Sequence, residues 1–140
     1  MPVTFHSADL TFNLKGKNTF RKWIISEINR TQLLPDKINI IFCSDAYLLE
    51  INRKYLNHDY YTDIITFNYN EKNKISGDLF ISIERIEENA KNFETSFNSE
   101  LKRVIIHGIL HLLGFYDNSD ILKNEMHKRE DDALARFPLI

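Results

Sequence analysis

The sequence has few of the features that mark secreted, membrane-bound or repetitive proteins. Cys43 is the only cysteine, so an internal disulfide is excluded and a cytoplasmic location is expected. No apolar run reaches the length of a membrane span, and residues 1–14 lack the basic and then apolar layout of a signal peptide. With only four glycines and three prolines, the chain contains no linker, repeat or low-complexity segment. We therefore expect a cytoplasmic protein with no membrane partner.

Neither sign of charge is in large excess. The chain carries 18 Lys and Arg against 20 Asp and Glu, which gives a formal net charge of −2. This balance excludes a protein that binds nucleic acid through a globally basic surface, although it is compatible with a local basic patch. The length of 140 residues and the hydrophobic content of 43% fit one globular domain over residues 1–140.

Hydrophobic periodicity predicts four strands and five helices. Alternating apolar residues predict strands near residues 3–5, 37–43, 62–69 and 79–82, and the last two strands are expected to form a hairpin. Pro35-Asp36 is predicted to be a turn before the second strand. Apolar residues at helical spacing predict the helices, in the order β-α-β-α-β-β-α-α-α. The expected fold is a single α/β domain with a mixed four-stranded sheet flanked by about five helices.

The fourth helix contains two histidines, His107 and His111, four residues apart. This spacing places both imidazoles on one face of the helix, one turn apart. Such pairs are more often chance than metal sites, but three features favour a metal here. Apolar residues crowd the pair, Gly114 comes where a return turn is needed, and Asp117 follows. We predict that His107, His111 and Asp117 bind one Zn²⁺ and leave a coordination position open, as catalytic zinc sites do, although another divalent metal fits this donor set.

The spacing is also similar to the metzincin signature, with one difference. Zinc proteases place a glutamate after the first histidine as general base, whereas this chain has Gly108. A glycine inside a helix costs about 1 kcal/mol relative to alanine, so we expect a packing reason for it. The missing glutamate argues against a peptidase.

Several segments together resemble the YbeY family of bacterial rRNA maturation factors, which are proposed metal-dependent endoribonucleases. They are Ile51-Asn52 with Tyr55, residues 62–67 (Thr-Asp-Ile-Ile-Thr-Phe), residues 76–82 (Ser-Gly-Asp-Leu-Phe-Ile-Ser), Glu100-Leu101 and residues 107–114. The resemblance covers roughly the C-terminal two thirds and implies a single-strand endoribonuclease in rRNA maturation and ribosome assembly or quality control. It implies an rRNA precursor of the small subunit and the ribosome or its proteins as partners.

The chain departs from the family pattern at two positions. The family usually has a third histidine where this chain has Asp117, and an arginine where this chain has Leu56. An oxygen ligand is acceptable to zinc but makes the identity of the metal less certain. The role of the arginine in RNA binding or catalysis is not carried over to Leu56.

The leading hypothesis is metal-assisted phosphodiester cleavage, in which the metal polarises a phosphoryl oxygen or lowers the pKa of a bound water. No general base is evident, so no catalytic residue is assigned beyond the metal site. Backbone phosphates need cations, and Tyr60 and Tyr61 could stack on bases. The candidate RNA-binding residues are Arg53, Lys54, His58, Lys102 and Arg103.

Two alternative functions are compatible with the sequence. The first is a ribosome-assembly factor that is not catalytic and has a structural metal, and the second is a metal-dependent hydrolase of another substrate. Two further residues near the motif receive no metal role. Glu100, seven residues before His107 on the same face, is expected to be solvated, with a salt bridge or a distant supporting contact to the site as the alternative. His127 is expected to lie on the surface of the last helix.

Overall fold

A computed structural model describes residues 1–138. The predicted domain over residues 1–140 extends two residues outside this described range. The chain forms nine elements in the predicted order, and their bounds are β1 Val3–Ser7, α1 Lys17–Asn29, β2 Leu34–Cys43, α2 Asp45–Leu56, β3 Ile64–Asn68, β4 Lys74–Ser82, α3 Ile83–Asn92, α4 Phe97–Leu112 and α5 Asp120–Ala135.

The four strands form one mixed sheet in the order β1-β2-β4-β3. Strands β1, β2 and β4 are parallel, and β3 pairs antiparallel with β4 at the edge of the sheet. The predicted hairpin of the last two strands is therefore confirmed, as is the mixed α/β fold with five helices. No helix in the described range combines the length and hydrophobicity needed to cross a membrane.

The second strand was wrongly predicted to begin after a turn at Pro35-Asp36. Strand β2 begins at Leu34, which pairs with Lys74, the first residue of β4. The register of this pairing shifts between Pro35 and Ile38. An irregularity of this kind accommodates a residue that cannot donate a ladder hydrogen bond. The proline thus lies within a strand because a bulge accepts it there.

Both faces of the sheet are covered. Ile38, Ile40 and Phe42 of β2 belong to the larger core cluster, which α4 completes with its own apolar side. Cys43 faces the opposite way and packs with Leu48 of α2 in a smaller cluster. Helix α4 lies against β3 and β4 on one side and against α3 and α5 on others. This position holds the two histidines beside the edge strand of the sheet.

Helix α4 begins after a serine cap. Ser96 accepts a hydrogen bond from the backbone N–H of Ser99, which satisfies one free donor of the first turn. Its apolar side is buried, and the close packing expected at Gly108 is present. A Cβ at Gly108 would lie 2.6 Å from Ile64 Cδ1 and 2.7 Å from Leu79 Cδ2. The absence of a side chain thus lets α4 approach the sheet closely.

Candidate metal centre

His107 and His111 project from α4 with their ring nitrogens directed at each other. The two Nε2 atoms are 3.0 Å apart, and the ring planes are inclined at 79°. Each imidazole is 25% exposed, so one edge of the pair is open to solvent. The helical spacing therefore places two nitrogen donors at one point that a small ligand can reach.

The chain turns back after α4 through a Schellman motif. The N–H of Gly114 donates to the carbonyl of His111, and the N–H of Phe115 donates to the carbonyl of Leu110, both at 3.0 Å. Gly114 has a φ of 96°, a left-handed conformation that favours glycine. This turn places the carboxylate of Asp117 beside the histidines. Its nearest oxygens lie 3.5 Å from His107 Nε2 and 3.7 Å from His111 Nε2.

The donor atoms of these three residues have the spacing that a tetrahedral metal requires. They all lie within 4.8 Å of one another. Bonds of about 2.0–2.1 Å to a tetrahedral zinc place two ligand atoms about 3.3 Å apart, close to the observed separations of 3.0, 3.5 and 3.7 Å. Two imidazoles and one carboxylate fit a catalytic zinc, because three protein ligands leave one position free.

Gly108 occupies the position at which a peptidase has its glutamate, and a side chain at this position would point away from the site. Its Cβ position faces Ile64 and Leu79 of the sheet rather than the histidine pair. A glutamate there would be forced against the hydrophobic core. The structure therefore adds a geometric reason to the argument against peptide hydrolysis.

Glu130 of α5 contacts His107 on the side of the ring opposite His111, and it was not predicted as a site residue. It is 2% exposed, and its Oε2 accepts a hydrogen bond of 2.7 Å from His107 Nδ1. Its Oε1 accepts from Arg103 Nη1 at 2.9 Å. One feature of the sequence could have predicted its burial. Glu130 lies four residues after Met126 and three before Ala133, on the same side of the helix as these two buried residues.

The two imidazoles differ in their preference for a proton. Burial disfavours the charged form of His107, but the hydrogen bond and charge of Glu130 outweigh it and raise its pKa. Burial and the positive charge of His107 lower the pKa of His111. Burial alone would raise the pKa of Glu130, but its bonds to His107 and Arg103 lower it. In the metal-free protein, His107 is therefore the more readily protonated of the pair.

A cleft of about 690 Å³ opens over the candidate ligands. Asp63, which precedes β3, lies in this cleft outside the ligand group. Burial raises the pKa of Asp63, while the charge of His107 acts in the opposite direction. The cleft is lined further by residues of α2, of the loop that follows it, of β3 and of the turn after α4, among them Asn52, Leu56, His58, Tyr60, Thr62, Thr66, Asn68 and Tyr116.

Of the five candidate RNA-binding residues, His58 alone lines the cleft. Arg53 is paired with Glu50 and Asp59. Arg103 is paired with Glu130 and Asp131. The remaining two lie over aromatic rings, Lys54 at 5.2 Å from the Tyr55 centroid and Lys102 at 3.9 Å from that of Phe137.

Two predictions about neighbouring residues have different outcomes. His127 is exposed, as expected, with 69% of its side chain accessible. The prediction that Glu100 is solvated is wrong, because only 4% of the residue is exposed. Glu100 lies in the first turn of α4 beside the charges of Asp63 and Arg103. Helix α3 and strand β3 both pack against α4 and bury Glu100. Helical spacing alone does not reveal such contacts.

Comparison with known proteins gives a consistent result over nearly the whole chain. The family model described as Endoribonuclease YbeY matches residues 3–138. The Endoribonuclease YbeY of Flavobacterium johnsoniae is 48% identical over 90% of this chain and 91% of its own length. That of Parabacteroides distasonis is 46% identical over 99% of this chain and 97% of its own length. The solution structure of TM1509 from Thermotoga maritima is similar with a TM-score of 0.64 and 27% identity, over 94% of this chain and 86% of that one.

Proposed function

Because this chain belongs to the endoribonuclease YbeY family, we propose that it cleaves single-stranded RNA with a zinc ion held by His107, His111 and Asp117. The observation that carries the proposal is the convergence of these three donors at the floor of an open cleft. A zinc ion there would supply Lewis acidity toward a phosphoryl oxygen and lower the pKa of a bound water. The residues of the chain hold and orient the ion and leave one side of it accessible.

The shape and lining of the cleft favour a single strand over a duplex. Tyr60 and Tyr116 border it and are 57% and 59% exposed, so their rings are available to stack on unpaired bases. Asn52 is buried, and its amide donates to the carbonyl of Tyr60 at 2.8 Å, which fixes the loop that carries this tyrosine. A base in a duplex is already stacked and cannot enter between such rings.

The lining of the cleft, within the described residues, contains no lysine or arginine. The positive charge that meets a phosphate inside the cleft is therefore supplied by the metal. Arg53 and Lys54 lie in the last turn of α2, the helix whose Leu56 lines the cleft, and from there they can attract the strand over a longer distance. We propose these residues as the main electrostatic contribution to RNA binding, ahead of Lys102 and Arg103.

The biological setting that we propose follows from the family. The substrate is a precursor of the small-subunit rRNA in the cytoplasm, and the enzyme acts in its maturation and in ribosome assembly or quality control. Contact with the ribosome or its proteins would bring the cleft to that substrate. The cleavage itself can be tested without these partners.

The direct test is cleavage of a labelled single-stranded RNA by metal-free protein before and after addition of one equivalent of zinc. We expect activity only with zinc, and much less on a fully paired RNA of the same sequence. His111→Ala should abolish both zinc binding and cleavage. His6→Ala is the matched control, since it removes an exposed histidine of β1 that lies outside the cleft lining, and it should change neither.

Two outcomes would contradict the proposal. Cleavage by His111→Ala at the wild-type rate would show that the activity does not need the metal site. Zinc binding by the wild type without cleavage of any single-stranded RNA would instead favour an assembly factor with a structural metal.

A further inference from the structure

We infer that Glu130 is a positioning residue of the metal site, which holds His107 with its Nε2 lone pair directed at the metal and so increases zinc affinity. This inference rests on the metal site of the proposed function and is independent of RNA cleavage. Glu130 belongs to α5, outside the segment that contains the three candidate ligands. It connects the packing of a separate helix to the chemistry of the site.

The contact between Glu130 and His107 determines which nitrogen is free to bind a metal. An ionised carboxylate is only an acceptor, so the 2.7 Å contact requires that His107 Nδ1 carries a hydrogen. In the neutral imidazole the lone pair is then on Nε2, the atom that faces His111 and Asp117. A histidine without such a partner divides its population between two tautomers and several ring orientations.

The surroundings of Glu130 keep it ionised and immobile. Arg103 Nη1 donates to Oε1 at 2.9 Å, and Arg103 Nη2 binds Asp131 at 2.8 Å, which holds the guanidinium in place. His127 Nδ1 lies 3.5 Å from the same Oε1. A carboxylate that is 2% exposed would be costly without such partners, and here each of its oxygens has one. Arg103 thus has a structural task that competes with the predicted contact to RNA.

The support is specific to one of the two histidines. Within residues 1–138, no carboxylate forms a hydrogen bond with Nδ1 of His111, and it is the Nε2 atom of this residue that contacts His107 and Asp117. The metal site is therefore anchored through His107. Removal of a hydrogen-bond partner of a metal ligand typically lowers metal affinity by about 10–100-fold.

The test measures zinc affinity of the folded protein by competition with a chromophoric chelator. Glu130→Gln removes the charge and leaves one acceptor oxygen for the two donors His107 and Arg103, and we expect a fall of about 10-fold. Glu130→Ala removes the charge and both acceptor oxygens, and we expect a fall of about 100-fold. Glu27→Gln is the matched control. Glu27 is 7% exposed and is held by two hydrogen bonds from Arg136, away from the metal site, so its replacement should leave zinc affinity unchanged.

A second readout needs no metal. Nitrogen NMR of the His107 ring in metal-free protein, at a pH where the imidazole is neutral, should show hydrogen on Nδ1 in the wild type. Glu130→Ala should show a mixture of the two tautomers. If the alanine variant does not fold, the affinity of the glutamine variant is sufficient.

Wild-type affinity in both folded Glu130 variants would overturn the inference while leaving the proposed function intact. An equal loss of affinity in Glu27→Gln would also overturn it, since the effect would then belong to any buried glutamate. A wild-type protein that binds no zinc would overturn the proposed metal site itself. A wild-type His107 with hydrogen on Nε2 would contradict the assigned role of Glu130 even in that case.

Discussion

Helix α4 presents an apolar side to the sheet and a polar side to α5 and the cleft, and the two sides depend on different kinds of contact. On the sheet side, Leu101, Ile105 and Leu112 are at most 1% exposed and fill the core. On the polar side, Glu100, Arg103, His107 and His111 follow one another at helical spacing and meet charged partners. The same helical repeat thus serves packing on one side and chemistry on the other.

The comparison predicts which substitutions in α4 affect stability and which affect function. The sheet side is close-packed, so a larger side chain there should lower the stability of the protein. We expect the function of the molecules that remain folded to be unchanged. The polar side contains ionisable groups that are held by a few specific bonds. Changes there should alter metal binding or pH dependence more than they alter the core.

The largest effect is expected for a change that affects function without affecting stability. Asp117→Ala removes one of three candidate ligands, and zinc affinity should fall by more than 100-fold, or about 2.7 kcal/mol. The free energy of unfolding of the metal-free protein should change by less than about 0.5 kcal/mol, because 39% of the Asp117 side chain is exposed. Chelator competition and urea denaturation measure the two quantities.

Asp117→His provides the control for this prediction. It replaces the oxygen donor by a nitrogen donor, and zinc affinity should stay within about 10-fold of the wild type. Unchanged zinc affinity in Asp117→Ala would remove this residue from the metal site.

The next effect is a loss of stability without a specific loss of function. Gly108→Val adds three carbon atoms where Ile64 and Leu79 already occupy the space. We expect the free energy of unfolding to fall by about 2 kcal/mol, while the folded fraction still binds one zinc per chain. Asn98→Val is the control, because Asn98 is an exposed position of the same helix. A Gly108→Val protein as stable as the wild type would show that α4 can move away from the sheet.

The two sides also differ in how far they could be predicted from sequence. The apolar stripe, the Ser96 cap, the turn at Gly114 and the arrival of Asp117 beside the histidines are local features of residues 96–117. Local propensity and periodicity are sufficient to predict such features.

The partners of the polar side come from elsewhere in the chain and were missed. Glu130 reaches His107 because α5 packs on α4, and the sequence does not specify that packing angle. Glu100 was expected in solvent, but the packing around it removes it from water. Burial of a charged residue is decided by tertiary contacts, which a helical pattern does not contain.

The smallest predicted effect concerns Glu100 and has the opposite sign to the others. Burial raises its pKa above the ordinary 4.5, and the charge of Asp63 acts in the same direction against Arg103 and the Asn89 amide. The folded state therefore holds this proton more tightly than the unfolded state. The resulting stabilisation is complete below about pH 4.5 and is lost as the pH rises through the folded pKa.

Glu100→Gln should remove this pH dependence, because glutamine has no proton to lose. At pH 8 we expect its free energy of unfolding to exceed that of the wild type by about 1 kcal/mol, and at pH 4 the two proteins should be nearly equal. Urea denaturation at both pH values measures the difference, with Glu88→Gln on the exposed side of α3 as control. If Glu100→Gln is less stable at pH 8, the ionised carboxylate stabilises the fold, and the polar side of α4 would then contribute to stability as well as to chemistry.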